Sequence, residues 1–227
     1  MGREVNIDWG KHSLDKSLWP SYNMPVGILF PVQDRDGPAV YFQGRNAKMD
    51  FLELAQNRCT TRGFTDKKID NADLDRILSA GRLAPTACNR QPQRIIVVQH
   101  PENLLRVQKA YQTFGSQCVL IICQDKKDPL VRPFDGKCSG DLDIGIVCDH
   151  MMLAARELDI GSVMVGLFDP EIIRNEFNIP ETIEPTALLI LGYPADGFLS
   201  PGRHKTERKP LEDTVMHERY SEGESLN

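Results

Sequence analysis

The stretch from Asp141 to Leu158 constrains this chain more than any other. Ile144, Val147, Cys148, Met151, Ala154, Ala155 and Leu158 follow the spacing of one helical face. Ile146 and Leu153 fall on the other side, so the predicted helix is apolar nearly all round. A helix of that kind is buried, either in a core or in a subunit interface. Gly161 closes the segment.

The flanking segments place short strands and helices around it. Phe51 to Ala55 reads as a short helix. Asp70 or Asn71 can cap a helix with Leu74, Ile77, Leu78 and Gly81 on its apolar side, and Pro85 stops that helix near Ala84. Arg94 to Gln99 and Cys118 to Cys123 read as strands, with a helix from Pro101 to about Ala110 between them. Ser162 to Val165 is a short strand, Pro170 opens a helix to Phe177, and Thr186 to Leu191 is the last strand. The tail from Gly202 reads as polar and extended. This order lacks the strict strand–helix rhythm of a doubly wound fold.

With 227 residues, 41% of them hydrophobic and 26% charged, one compact core is the simplest arrangement. No apolar run approaches the roughly 18–20 residues of a membrane helix. The polar N-terminus carries no secretory signal, which points to the cytoplasm and away from a membrane. The six cysteines form no CxxC pair and no zinc spacing, so they read as small buried thiols and not as a metal site. A net charge of −5 argues against nucleic acid as a partner.

Residues 1–48 stand apart, rich in Pro, Gly, Asp and Asn and holding both tryptophans. Val40-Tyr41-Phe42-Gln43-Gly44 resembles the end of an engineered protease-cleavage site, and Met49 then looks like a natural start. The segment is either appended or a native arm that clasps a partner subunit. The expected division is an N-terminal segment 1–48, a domain 49–215 and a tail 216–227.

Four clusters could carry chemistry, and each has an ordinary alternative. Arg58-Cys59-Thr60-Thr61-Arg62 puts two guanidiniums and two hydroxyls in five residues, an anion site or else a solvated basic turn. Ala84-Pro85-Thr86-Ala87-Cys88-Asn89-Arg90-Gln91-Pro92 combines small residues with amides, suited to close approach by a flat ring, or is a plain helix-to-strand loop. Gly161 to Gly166 brackets an apolar strand with glycines but is no GxGxxG fingerprint. Lys205-Thr206-Glu207-Arg208-Lys209-Pro210 is a basic tail segment, ordinarily solvated. No catalytic triad or metal motif emerges from the five scattered histidines. His150, inside the long helix, reads as a satisfied core histidine, and Asp141 and Asp143 read first as helix-start caps.

Taken in order, these clusters resemble the FMN-binding nitroreductase family from Met49 to about Val215. Its Arg-x-Ser-x-Arg element corresponds to Arg58 to Arg62, with Thr60 for serine. Its Ala-Pro-Ser-x-x-Asn-x-Gln-Pro loop corresponds to Ala84 to Pro92 and is the most specific match. Its Leu-Gly-x-Gly-Ser helix end corresponds to Leu158 to Ser162, followed by Val165-Gly166. Its Arg-Lys-Pro-Leu-Glu-Asp close corresponds to Arg208 to Asp213.

The resemblance implies an α+β fold, a central mostly antiparallel sheet flanked by helices, in an intertwined homodimer with FMN in clefts between subunits. It carries Arg58, Thr60 and Arg208 to the flavin phosphate, aided by Lys205 and by the backbone of Cys59. It carries Arg62 to the pyrimidine side of the ring, as the cation that tunes it. Pro85, Thr86, Ala87 and Asn89 would line the ring from the partner subunit. Val165 and Gly166, with Met164 beside them, would lie near its N5 edge. The implied activity takes hydride from NAD(P)H and passes electrons to nitroaromatic, quinone or related acceptors in ping-pong turnover, with no side chain as catalytic acid. Dehalogenation, ene reduction or a non-catalytic flavin-binding role are the alternatives on the same scaffold. Two departures stand out: Gln93 where an aromatic usually follows Gln-Pro, and Thr206 where some relatives keep a basic residue.

Overall fold

The computed structural model describes residues 50–127, 129–197 and 202–220. The expectations for residues 1–48, for Met49 and for the tail beyond Tyr220 lie outside the described residues.

Among the described residues the core is a four-stranded antiparallel sheet in the order β1-β2-β4-β3. The strands are β1 (Gln93–Val98), β2 (Cys118–Asp125), β3 (Gly161–Val165) and β4 (Ile183–Gly192). The helices are α1 (Phe51–Asn57), α2 (Asn71–Leu83), α3 (Pro101–Gln108), α4 (Gly140–Glu157), α5 (Pro170–Glu176) and α6 (Arg203–Thr206). None of the described helices is long and apolar enough to cross a membrane.

The two central strands are buried on both faces, which explains why they read as continuous apolar runs. Alternation along them separates two cores. Cys118, Leu120, Ile122, Ala187, Leu189 and Leu191 face α2 and α4, whereas Val119, Ile121, Cys123, Leu188 and Ile190 face the side of α3 and α5. The result is three layers, helices on each side of one sheet.

Helix α4 turns Ile144, Val147, Cys148, Met151 and Ala155 into the first core. Gly81 of α2 lets the two helices approach closely, since a Cβ there would sit 2.8 Å from the Met151 Cγ. The opposite side of α4 is less covered than an apolar-all-round helix suggests. Leu142 is 69% exposed, and Ile146 and Leu153 are only half-buried. His150 is satisfied within the helix, its ring Nδ1 3.0 Å from the Ile146 carbonyl.

Two expectations need correction. Strand β4 starts at Ile183, three residues before Thr186, because a register shift opposite Ile122 and Cys123 accommodates Pro185 in the ladder. The tail is not simply extended. Arg203 donates to the Glu207 carboxylate from Nε and Nη2 at 2.8 and 2.6 Å, closing the one-turn helix α6, and Leu211–Asp213 adds a 3-10 turn.

The cysteines divide in two. Cys59, Cys118, Cys123 and Cys148 are buried, but Cys88 and Cys138 are exposed, so the expectation of uniformly buried thiols fails for these two. Burial pushes the Cys118 and Cys148 thiols up to about 12 and Cys123 to about 11, from an ordinary value near 9. An unfolded chain would release these protons from about pH 9, while the folded chain holds them. The native state therefore binds more protons above that pH, and stability falls as pH rises, by at most about 1.4 kcal/mol per thiol per pH unit. Denaturant titrations at increasing alkaline pH should show that decline. Near neutral pH, alkylation of the native protein should modify Cys88 and Cys138 promptly and the other four only on unfolding.

Candidate flavin-phosphate site

The Arg58–Arg62 segment leaves α1 and runs along the open edge of the sheet. Thr60 forms a parallel bridge with Ser162 of β3, and the Thr61 N–H donates to the Ser162 carbonyl at 3.0 Å. Further on, Phe64 bridges Pro194 and the Thr65 N–H donates to the Tyr193 carbonyl at 2.9 Å. Glycines make the close approach possible: a Cβ on Gly161 would lie 2.7 Å from the Thr61 hydroxyl, and one on Gly192 would lie 2.9 Å from the Phe64 ring. Fixed as an extended rail, the segment alternates. Cys59, Thr61 and Gly63 are buried, while Arg58, Thr60 and Arg62 turn outward. The x positions of Arg-x-Thr-x-Arg are thus its anchors, and three donor side chains share the outer face. Because the bridge is parallel, Arg62 advances along the sheet in the same direction as Met164.

The tail closes the other end. His204 of α6 donates from Nε2 to the Arg58 carbonyl at 2.6 Å, and Arg208 donates from Nε and Nη2 to His204 Nδ1, both at 3.4 Å. Between α1, α4 and the tail lies an open cleft of about 340 Å³, whose lining includes Phe51, Leu52, Arg58, Asp149, Leu153, His204 and Arg208. Arg94, Arg132, Arg174 and Arg203 each pair with a carboxylate. Among the described residues Arg58, Arg62 and Arg208 pair with none. Two guanidiniums that reach one cleft without a carboxylate partner suit a multiply charged oxyanion. Lys205 is exposed and does not line this cleft.

The loop after α2 is built differently. Cys88, Asn89 and Gln91 all adopt left-handed φ, at 49°, 55° and 50°, a strained run for residues that are not glycine. Asp143 holds it. This carboxylate, only 2% exposed, accepts the Ala87 N–H at 2.9 Å on one oxygen and the Ser139 hydroxyl at 3.0 Å on the other. The Thr86 hydroxyl accepts the Gln91 N–H at 3.0 Å. The loop thereby presents Pro85 and Asn89 to solvent, with Thr86 and Ala87 half-buried.

A single chain does not bring this loop to the arginine cleft. The loop is fastened at Asp143, whereas the cleft touches α4 at Asp149 and Leu153, about 9–15 Å further along the helix axis. At the end of β3, Met164 is 40% exposed, Val165 is buried and Gly166 faces open space, with nothing within 4 Å of a Cβ built on it. No packing among the described residues excludes a side chain at Gly166.

The nitroreductase family model matches residues 55–127 and 113–193, over half of the chain. The chain belongs to the nitroreductase family. A nitroreductase family protein from Clostridium difficile 630 has a crystal structure that superposes with a TM-score of 0.73 at 42% identity, covering 76% of this chain and all of that one. A protein of Archaeoglobus fulgidus, provisionally named NADH dehydrogenase/NAD(P)H nitroreductase, is 34% identical over 154 residues, 64% of this chain and 86% of its own. The FMN reductase [NAD(P)H] of Bacillus subtilis is 25% identical over 179 residues, 69% of this chain and 71% of its own.

Two residues of this candidate site carry no signal in the clusters above. Asp143 reads as a helix-start residue, yet its carboxylate serves a loop 56 positions earlier. His204 precedes the basic tail cluster and lies in no motif, yet it joins Arg58 to Arg208. A helix-start aspartate spaced four residues beyond Ser139 hints at the first; nothing local hints at the second.

Proposed function

We propose that this chain is an FMN-dependent NAD(P)H oxidoreductase that acts as a homodimer in the cytoplasm. The observation that carries the reading is the convergence of Arg58 and Arg208 on one cleft, free of carboxylate partners among the described residues, in a chain of the nitroreductase family. The names of its relatives, one an FMN reductase and one an NAD(P)H nitroreductase, support the cofactor and the electron donor.

The residues present fit FMN. Arg58 and Arg208 would give a dianionic phosphate bidentate donors, and the outward Thr60 hydroxyl, on the same face of the rail though outside the cleft lining, would add a neutral one. Arg62 on that rail and Gly166 at the end of β3 would give a flat ring a cation and room for close approach. Bound FMN would supply the redox chemistry, accepting two electrons from NAD(P)H and returning them to a nitroaromatic, quinone or related acceptor. The chain's own part is to hold and tune. Arg62 would supply a fixed positive charge beside the ring, and a cation there favours the anionic reduced form.

What one chain leaves unfinished supports the dimer. The 85–89 loop is ordered by Asp143 but sits away from the cleft of its own chain, so we assign it to the flavin of the partner. Leu142, Ile146 and Leu153 on the outer side of α4 give the partner an apolar surface to cover. Six free cysteines suit a reducing compartment.

The purified protein should be yellow, release FMN on denaturation and sediment as a dimer. A colourless monomer that takes up no FMN contradicts the reading. Arg62→Ala should slow anaerobic flavin reduction by about tenfold or more while changing FMN affinity little. Equal reduction rates in stopped flow would remove Arg62 from its assigned role.

A further inference from the structure

His204 stands between the two arginines of the cleft, and its partners determine its tautomer. The Arg58 carbonyl can only accept, so Nε2 carries the hydrogen; the Arg208 guanidinium can only donate, so Nδ1 offers a lone pair. Only the neutral Nε2–H imidazole satisfies both. Both ring nitrogens are then committed, and neither is left to touch a phosphate.

We infer that His204 is the positioning residue of the phosphate end. Its neutral ring ties the tail to the Arg58 carbonyl and aims Arg208 into the cleft, so a second proton on the ring releases Arg208 and weakens the hold on phosphate. This rests on the reading that the cleft takes the FMN phosphate. With Nδ1 protonated, the ring meets the Arg208 N–H groups as a donor facing donors, and as a cation facing a cation. The Nε2 bond to the Arg58 carbonyl survives, so the ring stays while Arg208, exposed and long, returns to solvent. The charged groups around the ring are Arg58 of α1, Asp149 of α4, and on its own segment Arg203, Lys205, Glu207 and Arg208. Arg203 and Glu207 neutralise each other. Asp149 remains in every variant proposed below, so pH dependence arising from it is common to all of them.

The test measures FMN dissociation constants from flavin fluorescence, with the full-length protein, at about pH 8 and about pH 5.5. The proteins are wild type, Arg208→Ala, His204→Ala and the double variant, with riboflavin as the phosphate-free probe. At the higher pH each single substitution should weaken FMN binding by about tenfold and leave riboflavin unchanged. The double variant should bind no more weakly than Arg208→Ala, because His204 acts through Arg208. On acidification the ratio of wild-type to Arg208→Ala affinity should shrink toward one. The second proton of the FMN phosphate, with a pKa of about 6, weakens the contribution of either arginine, so the wild-type to Arg58→Ala ratio is measured beside it, and the Arg208 ratio should fall further than the Arg58 ratio.

An Arg208 ratio that falls no further than the Arg58 ratio overturns the inference, as does a double variant that loses the product of the two single losses. FMN binding that tightens on acidification in wild type but not in His204→Ala also overturns it, since the imidazolium would then hold the phosphate itself. If His204→Ala does not fold, the comparison of the Arg208 and Arg58 ratios still decides. A wild type that binds no FMN rejects the functional reading together with this inference. FMN bound equally well by wild type and Arg208→Ala rejects this inference alone.

Discussion

Replacing Arg58 and Arg208 together by Ala should lower FMN affinity by on the order of 10³-fold and leave riboflavin affinity nearly unchanged. Each guanidinium can contribute about 1.5–3 kcal/mol through charge-assisted hydrogen bonds to phosphate, and two such losses amount to about three decades. The reason to expect the full loss is that neither side chain forms an ion pair with a carboxylate among the described residues, Asp149 in the same cleft included. The substitutions should cost little stability, because Arg208 is exposed and the Arg58 carbonyl that binds His204 belongs to the backbone. Fluorescence titration with the two flavins separates a phosphate effect from a general collapse of the site. Equal losses for FMN and riboflavin would show that the arginines support the fold and not the phosphate.

The second large effect belongs to Asp143. Asp143→Ala strands the Ala87 N–H and the Ser139 hydroxyl beside a small void at the start of α4. With about 1.5–3 kcal/mol for each bond to a charged acceptor, partly recovered by water, the expected loss is about 3 kcal/mol in denaturant unfolding. The damage should concentrate in residues 85–91, whose left-handed backbone at Cys88, Asn89 and Gln91 persists only while its surroundings hold it. Hydrogen exchange should speed up there first. Asp143→Asn keeps an acceptor for Ala87 and can donate to the Ser139 hydroxyl, so it should recover most of the loss. An Asn variant as unstable as the Ala variant would mean that the charge, and not the pair of hydrogen bonds, holds the loop.

How far the sequence discloses the molecule differs from element to element. The apolar runs of β2 and β4 and the periodic face of α4 are legible because burial acts on every residue of those segments at once. The start of β4 is not, since Pro185 argues against a strand and only the register shift opposite Ile122 and Cys123 admits it. The Arg58, Thr60, Arg62 spacing is legible as a donor set; its cause, an extended rail anchored by Cys59 and Thr61 against Ser162, needs a contact a hundred residues away. The same holds for Asp143 and Ala87. The role of His204 depends on α6, a single turn closed by the Arg203–Glu207 pair, too short to stand out from a charged tail. Local patterns record what each segment does by itself, and the site is assembled mostly from long-range hydrogen bonds.

The measurement that bears most directly on the central claim is anaerobic mixing of the FMN-loaded protein with NADH or NADPH in stopped flow, followed by a nitroaromatic or a quinone. The account predicts that the visible flavin band bleaches with the nicotinamide and returns with the acceptor, over repeated cycles. A protein that holds FMN in the Arg58–Arg208 cleft but whose flavin band neither nicotinamide bleaches would contradict it.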